Sequence, residues 1–88
     1  MAAQDIDPEI IEAWIYLGRA WFEKGFEYYN NGELDQAIEN FSKAIELNPN
    51  NDTALNKKGL AYSAIGELDL AITDFDKAIA ARKMSIRF

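Results

Sequence analysis

Apolar residues recur along most of the chain at steps of three and four, which is the spacing of one face of an α-helix. Two stretches show the pattern most clearly, and each begins two residues after a glycine. Their apolar positions are Leu34, Ile38, Phe41 and Ile45 in the first stretch and Leu68, Ile72, Phe75 and Ile79 in the second. The pattern predicts an all-α protein built from amphipathic helices.

The two stretches belong to a tandem repeat. Residues 18–51, laid over residues 52–85 without a gap, match at 14 of 34 positions. Each unit contains two helical segments separated by Gly-Glu-Leu-Asp, at 32–35 and again at 66–69. Glycine accepts the left-handed backbone that commonly follows a helix end, so this tetrapeptide marks the turn between two helices.

Further residues set the limits and the packing of each unit. The first unit ends at Asn48-Pro49, because the residue before a proline is pushed out of the helical region. Asn51 then supplies a side chain suited to cap the next helix. A glycine recurs inside the first helix of each unit, as Gly25 and Gly59. Since an internal glycine costs a helix about 1 kcal/mol relative to alanine, its recurrence predicts close helix packing there.

These residues resemble the tetratricopeptide repeat (TPR) family over 18–85. The family signature is a large residue followed by Gly, Tyr, Ala, Phe, Ala and Pro at fixed spacing. The first unit supplies Trp21, Gly25, Tyr28, Ala37, Phe41, Ala44 and Pro49, and the second supplies Leu55, Gly59, Tyr62, Ala71, Phe75 and Ala78. Lys83 replaces the second proline, and Lys24 and Lys58 stand where leucine is usual. The resemblance implies antiparallel helix-turn-helix repeats stacked as a short right-handed solenoid.

The resemblance also implies a concave groove that binds a peptide or a helix of another protein. Residues of the first helix of each unit line that groove. We expect the binding residues to be Arg19, Phe22, Phe26, Tyr29, Asn56, Lys57, Leu60 and Ser63. Three aromatic residues of the first unit form one stripe there, beside smaller and more polar residues of the second unit, a combination that suits a peptide groove. The stripe could instead pack against a further helix or a second copy.

The 88 residues are expected to form a single domain. It comprises an N-terminal helical extension at 1–17, repeat 1 at 18–51, repeat 2 at 52–85 and a tail at 86–88. Asp7 is a suitable N-cap and Pro8 suits the first helical position. No stop signal follows before Asn31-Gly32, so the first helix should run for about 23 residues, or roughly 35 Å.

Both ends of the predicted stack carry apolar residues that the repeats leave uncovered. The segment 34–47 is too short to cover the extension, and two repeats are fewer than the roughly three that such arrays need. We therefore expect a homo-oligomer, with a two-fold dimer or an exchanged helix as its form; the alternative is a fragment of a longer TPR scaffold. The residues expected to self-associate are Ile10, Trp14, Leu17, Met84, Ile86 and Phe88. Charge favours the same contact, since 1–51 carry a net −7 and 52–88 a net +1.

Composition excludes several function classes. The chain has 9 basic and 15 acidic residues, which argues against nucleic acid and against an anionic membrane surface as partners. Cysteine and histidine are both absent, so the usual general base, thiolate nucleophile and commonest metal ligands are missing. We expect no enzyme activity, cofactor or metal, and a cytoplasmic location. Asp74 and Asp76, two residues apart on a helix, are expected to face solvent instead of forming a carboxylate pair.

Overall fold

The computed structural model describes residues 7–85, with side chains for residues 7–84. That part of the chain forms four α-helices and contains no β-strand, which confirms the all-α fold. The helices are α1 (Pro8–Asn30), α2 (Leu34–Leu47), α3 (Asp52–Ala64) and α4 (Leu68–Ser85).

The helix ends lie close to where the capping and turn residues predict them. The Asp7 side chain accepts a hydrogen bond from the backbone N–H of Glu9 at 2.9 Å, and Asn51 does the same for Ala54 at 3.0 Å. Gly32 and Gly66 have φ angles of 79° and 87°, the left-handed backbone that each turn requires.

The second helix of each repeat ends at a different place. Helix α4 continues to Ser85. Helix α2, at the same place in the first repeat, ends at Leu47, and Pro49 follows two residues later. Lys83 stands at the position of that proline and keeps its backbone N–H, so nothing breaks α4 there.

The helices pack as two hairpins, α1 with α2 and α3 with α4, and the hairpins join mainly through α2 and α3. The molecule measures 47 × 30 × 20 Å along its principal axes. Phe41 and Leu55 are the largest fully buried side chains. The other buried apolar residues of the described core are alanines, whose small side chains allow the helix axes to approach closely. The buried alanines are Ala37, Ala44, Ala54, Ala61, Ala71, Ala78 and Ala81. None of the described helices is both long enough and apolar enough to span a membrane.

A buried ion pair crosses the second hairpin, and it overturns the expectation that Asp74 faces solvent. Only 4% of Asp74 is exposed, and its Oδ1 atom lies 3.6 Å from Nζ of Lys58. Asp74 is three residues from Ala71 and four from Ala78, so it shares their buried face of α4. Asp76 lies on another face and is exposed, as expected. Burial raises the pKa of the nearby Tyr62 hydroxyl, and the Asp74 carboxylate adds to this.

Candidate binding groove

Two aromatic rings of α1 form the centre of the predicted groove. Phe22 and Phe26, one helical turn apart, have ring centroids 6.4 Å apart and planes inclined by 17°. Phe22 is half-buried, because its ring also packs against the core residue Phe41, with 5.7 Å between centroids. Phe26 is 38% exposed. The pair therefore presents an apolar surface that is anchored to the core at one ring and open at the other.

Helix α3 contributes a cation to the same surface. Lys57 places its Nζ atom 5.1 Å from the centroid of the Phe26 ring, within the range of a cation–π interaction. This contact joins α1 to α3, two helices that otherwise touch only slightly. Three residues of α3 that were also predicted to line the groove, Asn56, Leu60 and Ser63, are exposed.

The two remaining predicted groove residues differ in their surroundings. Arg19 is bound within its own helix, since its Nε atom donates to Oε2 of Glu23 at 2.9 Å. Tyr29 is half-buried near the end of α1. Direct contacts thus link Phe22, Phe26 and Lys57, whereas Arg19 is engaged by a neighbour on the same helix.

A pocket of about 420 Å³ lies where the N-terminal extension of α1 passes the end of α2. It shares Arg19 and Phe22 with the predicted groove, so the pocket and the groove are contiguous. The lining residues are Ile11, Trp14, Ile15, Gly18, Arg19, Phe22, Ala44, Leu47, Asn48 and Asn51. We did not predict Ile11 and Ile15 from the sequence. Their signal was present, because steps of four and seven carry the apolar stripe of α1 from Ile11 through Ile15 to Phe22.

The second repeat has a related pocket at the corresponding place, between the start of α3 and the end of α4. Its volume is about 450 Å³. Arg82 crosses this region and places its Nη1 atom 2.9 Å from Oδ2 of Asp52. The pocket is lined by Asp52, Thr53, Asn56, Phe75, Ala78, Ile79 and Arg82. It has no counterpart of the α1 extension, and Asp52 and Arg82 make its lining more polar than that of the first pocket.

The residues predicted to self-associate are exposed wherever the structure describes them. On the α1 extension, Ile10, Trp14 and Leu17 are all exposed, Trp14 by 53%. Met84, near the end of α4, is exposed as well. Ile86 and Phe88 lie outside the described residues. In the described chain α1 and α4 do not touch, so neither helix covers the apolar surface of the other.

The groups that could carry chemistry are few. Among residues 7–84, no three acidic side chains come together in a way that could hold a metal ion. The groove instead offers aromatic surface, amide and hydroxyl side chains and one lysine. Such a surface is suited to non-covalent recognition of a polypeptide.

Comparison with known proteins gives a consistent result. A family model described as TPR repeat matches residues 25–66, and one described as tetratricopeptide repeat matches residues 52–83. The crystal structure of MamA superposes with a TM-score of 0.79 and 32% sequence identity, over 84% of this chain and 43% of MamA. The protein MJ0572 of Methanocaldococcus jannaschii is 52% identical over 29 residues, which are 33% of this chain and 34% of that protein. The chain thus spans less than half the length of each of these proteins.

Proposed function

The chain belongs to the tetratricopeptide repeat family, and from that premise we propose that it binds a peptide or helix of another protein in the groove between α1 and α3. Repeats of this family generally mediate protein–protein interaction. The observation that carries the proposal is the Phe22–Phe26 pair, with an open Phe26 ring and Lys57 above it. We propose no catalytic role.

The groove suits an amphipathic segment with a large apolar side chain and a nearby carboxylate. The apolar side chain would stack on Phe26, displacing water from a surface that is already preorganised by Phe22 and Phe41. The carboxylate would reach Lys57, the cation that lies over the Phe26 ring. The contiguous pocket would accept a second apolar side chain of the same segment, because Ile11 and Ile15 give it an apolar wall.

Replacing Phe26 by alanine should weaken binding of a selected peptide by more than about 1 kcal/mol, or at least fivefold. The physical reason is the loss of the exposed half of the aromatic surface. The probe is a helical peptide selected from a displayed library against the intact chain, and titration calorimetry measures its Kd. We choose Phe26 over Phe22 because Phe22 also packs on the core residue Phe41.

Tyr16→Ala is the matched control. Tyr16 is an exposed aromatic residue of the same helix. Its position ten residues before Phe26 turns it about 80° away from that ring, and it does not line the adjoining pocket. Its replacement should leave the Kd unchanged. Equal weakening by both variants, or unfolding of Phe26→Ala in circular dichroism, would remove Phe26 from the binding site.

Self-association is a second candidate function, and a specific observation favours it. The apolar stripe of α1 continues through the extension, where Ile10, Trp14 and Leu17 are exposed although they follow the periodicity of the buried residues. Contiguous apolar surface of this kind usually marks an interaction site. A second copy of the chain would be its partner, as a two-fold dimer or through an exchanged helix.

The double change Trp14→Glu with Leu17→Lys should abolish this association while leaving helical content largely intact. Both side chains are exposed in the monomer, so a polar replacement removes the apolar contact without opening the core. Sedimentation equilibrium measures the association, and circular dichroism measures the helix content. An unaltered chain that is already monomeric at high micromolar concentration would contradict this candidate.

A further inference from the structure

The outer face of α4 is an apolar seam with the spacing of a helix-pairing surface. Leu68, Ile72, Phe75 and Ile79 follow one another at steps of four, three and four residues, the alternation found where two helices pack along their length. Ile72 is 57% exposed and Ile79 is 54% exposed. These two side chains therefore present most of their apolar surface to solvent at the centre of the helix.

The first repeat shows what such a seam binds. The corresponding residues of α2 are less exposed. Leu34, Ile38 and Ile45 are all partly buried. Helix α3 packs against α2, and Ile45 of this row packs against the cluster that contains Leu55 of α3. The seam of α4 thus has the same residues as the surface of α2 that packs against a helix. Within the described chain, no helix packs on the seam of α4.

Helix α1 of a second copy is a poor occupant for this seam. In α3, the side that α2 covers includes Ala54 and Ala61, and both are fully buried. The corresponding residues of α1 are Ala20 and Glu27, which are exposed. Stacking α1 on α4 in the same way would bury the Glu27 carboxylate among apolar side chains, and an unpaired buried charge is strongly unfavourable. The side of α1 that carries Ala20 and Glu27 is therefore unsuited to packing on the seam of α4.

The charged residues of α4 favour pairing with a second α4 helix. Asp69 lies in its first turn and Lys83 in its last, and the two residues flank the seam on the same side because they are 14 residues apart, about four turns. Both are exposed. In an antiparallel pair of α4 helices, Asp69 of each copy would lie beside Lys83 of the other, which gives two favourable contacts. The helix dipoles would oppose one another as well.

We propose that α4 pairs antiparallel with α4 of a second copy, about a two-fold axis near Phe75 and Asp76. The helix has 18 residues, roughly 27 Å, so the seam is long enough for Ile72 of one copy to pack on Ile79 of the other. This surface is separate from the groove and from the α1 extension. The inference is therefore independent of groove binding, and it assigns self-association to α4 in place of the α1 extension.

The first test replaces both central isoleucines, Ile72→Lys with Ile79→Lys, in the full chain. Sedimentation equilibrium across concentration should show dimer dissociation constants at least about tenfold higher, because a two-fold interface feels each change twice. Both side chains are more than half exposed, so the helical content measured by circular dichroism should stay. Tyr16→Ala is the matched control, because Tyr16 is an exposed aromatic residue of α1, and it should leave the dimer intact.

The second test exchanges the flanking charges and keeps the apolar seam unchanged. Asp69→Lys alone and Lys83→Asp alone should each weaken the dimer at low salt, and the double variant should restore it. At the two-fold axis, Asp76 of one copy would lie near Asp76 of the other copy. Asp76→Asn should therefore strengthen the dimer by removing a repulsion between like charges. A contact through the α1 extension does not involve these three residues, so it does not predict this combination of two weakening changes, one rescue and one gain.

Several results would overturn the proposal. One is a chain that remains monomeric at high micromolar concentration. Another is a dimer that survives the isoleucine changes and dissociates with the α1 changes, which would place the contact on the extension. Growth into open chains with rising concentration would show head-to-tail stacking in place of a closed two-fold pair.

Discussion

Lys58→Ala is expected to lower the free energy of unfolding by about 3 kcal/mol, because it leaves the buried Asp74 carboxylate without its partner. The two groups are 3.6 Å apart across the α3–α4 contact. Asp74 is 4% exposed, and its Oδ2 atom has no hydrogen-bond partner among the described residues. Water therefore has little access to replace the lysine. Urea unfolding followed by circular dichroism measures the loss.

The first repeat provides the matched control for this experiment. Lys24 occupies the position of Lys58 there, but the residue at the position of Asp74 is the neutral Asn40. Asn40 is buried, and its side-chain amide donates to the carbonyl of Gln36 at 2.8 Å. Lys24→Ala should therefore lower stability by less than about 1 kcal/mol, the usual effect of an exposed charge.

A second variant tests the cause of the loss at Lys58. Lys58→Ala combined with Asp74→Asn should recover most of the lost stability, because it replaces the unpaired carboxylate by the amide that the first repeat already accommodates. Equal losses in Lys24→Ala and Lys58→Ala would show that the aliphatic stems of the lysines matter and the buried charge does not. Failure of Asp74→Asn to rescue would lead to the same conclusion.

The Lys58–Asp74 pair also shows where sequence reasoning fell short. The four helices and their turns could be predicted, because Asp7, Pro8, Gly32 and Gly66 act through local backbone geometry. The burial of Asp74 could not be predicted from its two-residue spacing to Asp76. That spacing places the two residues on different faces of the helix, but it does not show which face is buried. The available signal was Lys58 itself, a cation in place of the leucine usual in the family, which requires an anionic or polar residue nearby if it is buried.

The groove illustrates the same limit. Helical periodicity places Phe22 and Phe26 on one face of α1, and this could be predicted from the sequence. The stacking of Phe22 on Phe41 and the position of Lys57 over Phe26 depend on distances between helices and on rotamers, which periodicity does not contain. Those contacts decide which aromatic residue supports the core and which one remains open to a partner.

Alanine substitution at three glycines inside helices should give effects of opposite sign. In an unobstructed helix, alanine is favoured over glycine by about 1 kcal/mol. At Gly18 an added Cβ atom would lie 3.5 Å from Cβ of Leu47, an ordinary contact. Gly18→Ala should therefore raise the free energy of unfolding by about this amount.

Gly25→Ala should instead lower stability by about 1–3 kcal/mol, the usual range for overpacking a core. Its Cβ atom would lie 2.8 Å from Cδ1 of Phe41 and 3.2 Å from the backbone nitrogen of Phe41. Phe41 is fully buried and also holds the Phe22 ring, so neither its ring nor its backbone can move aside cheaply. This variant should disturb the groove as well as the core.

The free energy of unfolding of Gly59→Ala should lie between those of the other two variants, although its added Cβ atom has the shortest contact. The added Cβ atom would lie 2.7 Å from Cε1 of Phe75, and all of its close neighbours are atoms of that ring. Phe75 is only half-buried, whereas Phe41 is fully buried, so the Phe75 ring has more room to move away from the added methyl group. Urea unfolding of the three variants should rank stability as Gly18→Ala, then Gly59→Ala, then Gly25→Ala. If Gly25→Ala were as stable as Gly18→Ala, the close approach of α1 and α2 at Phe41 would be wrong.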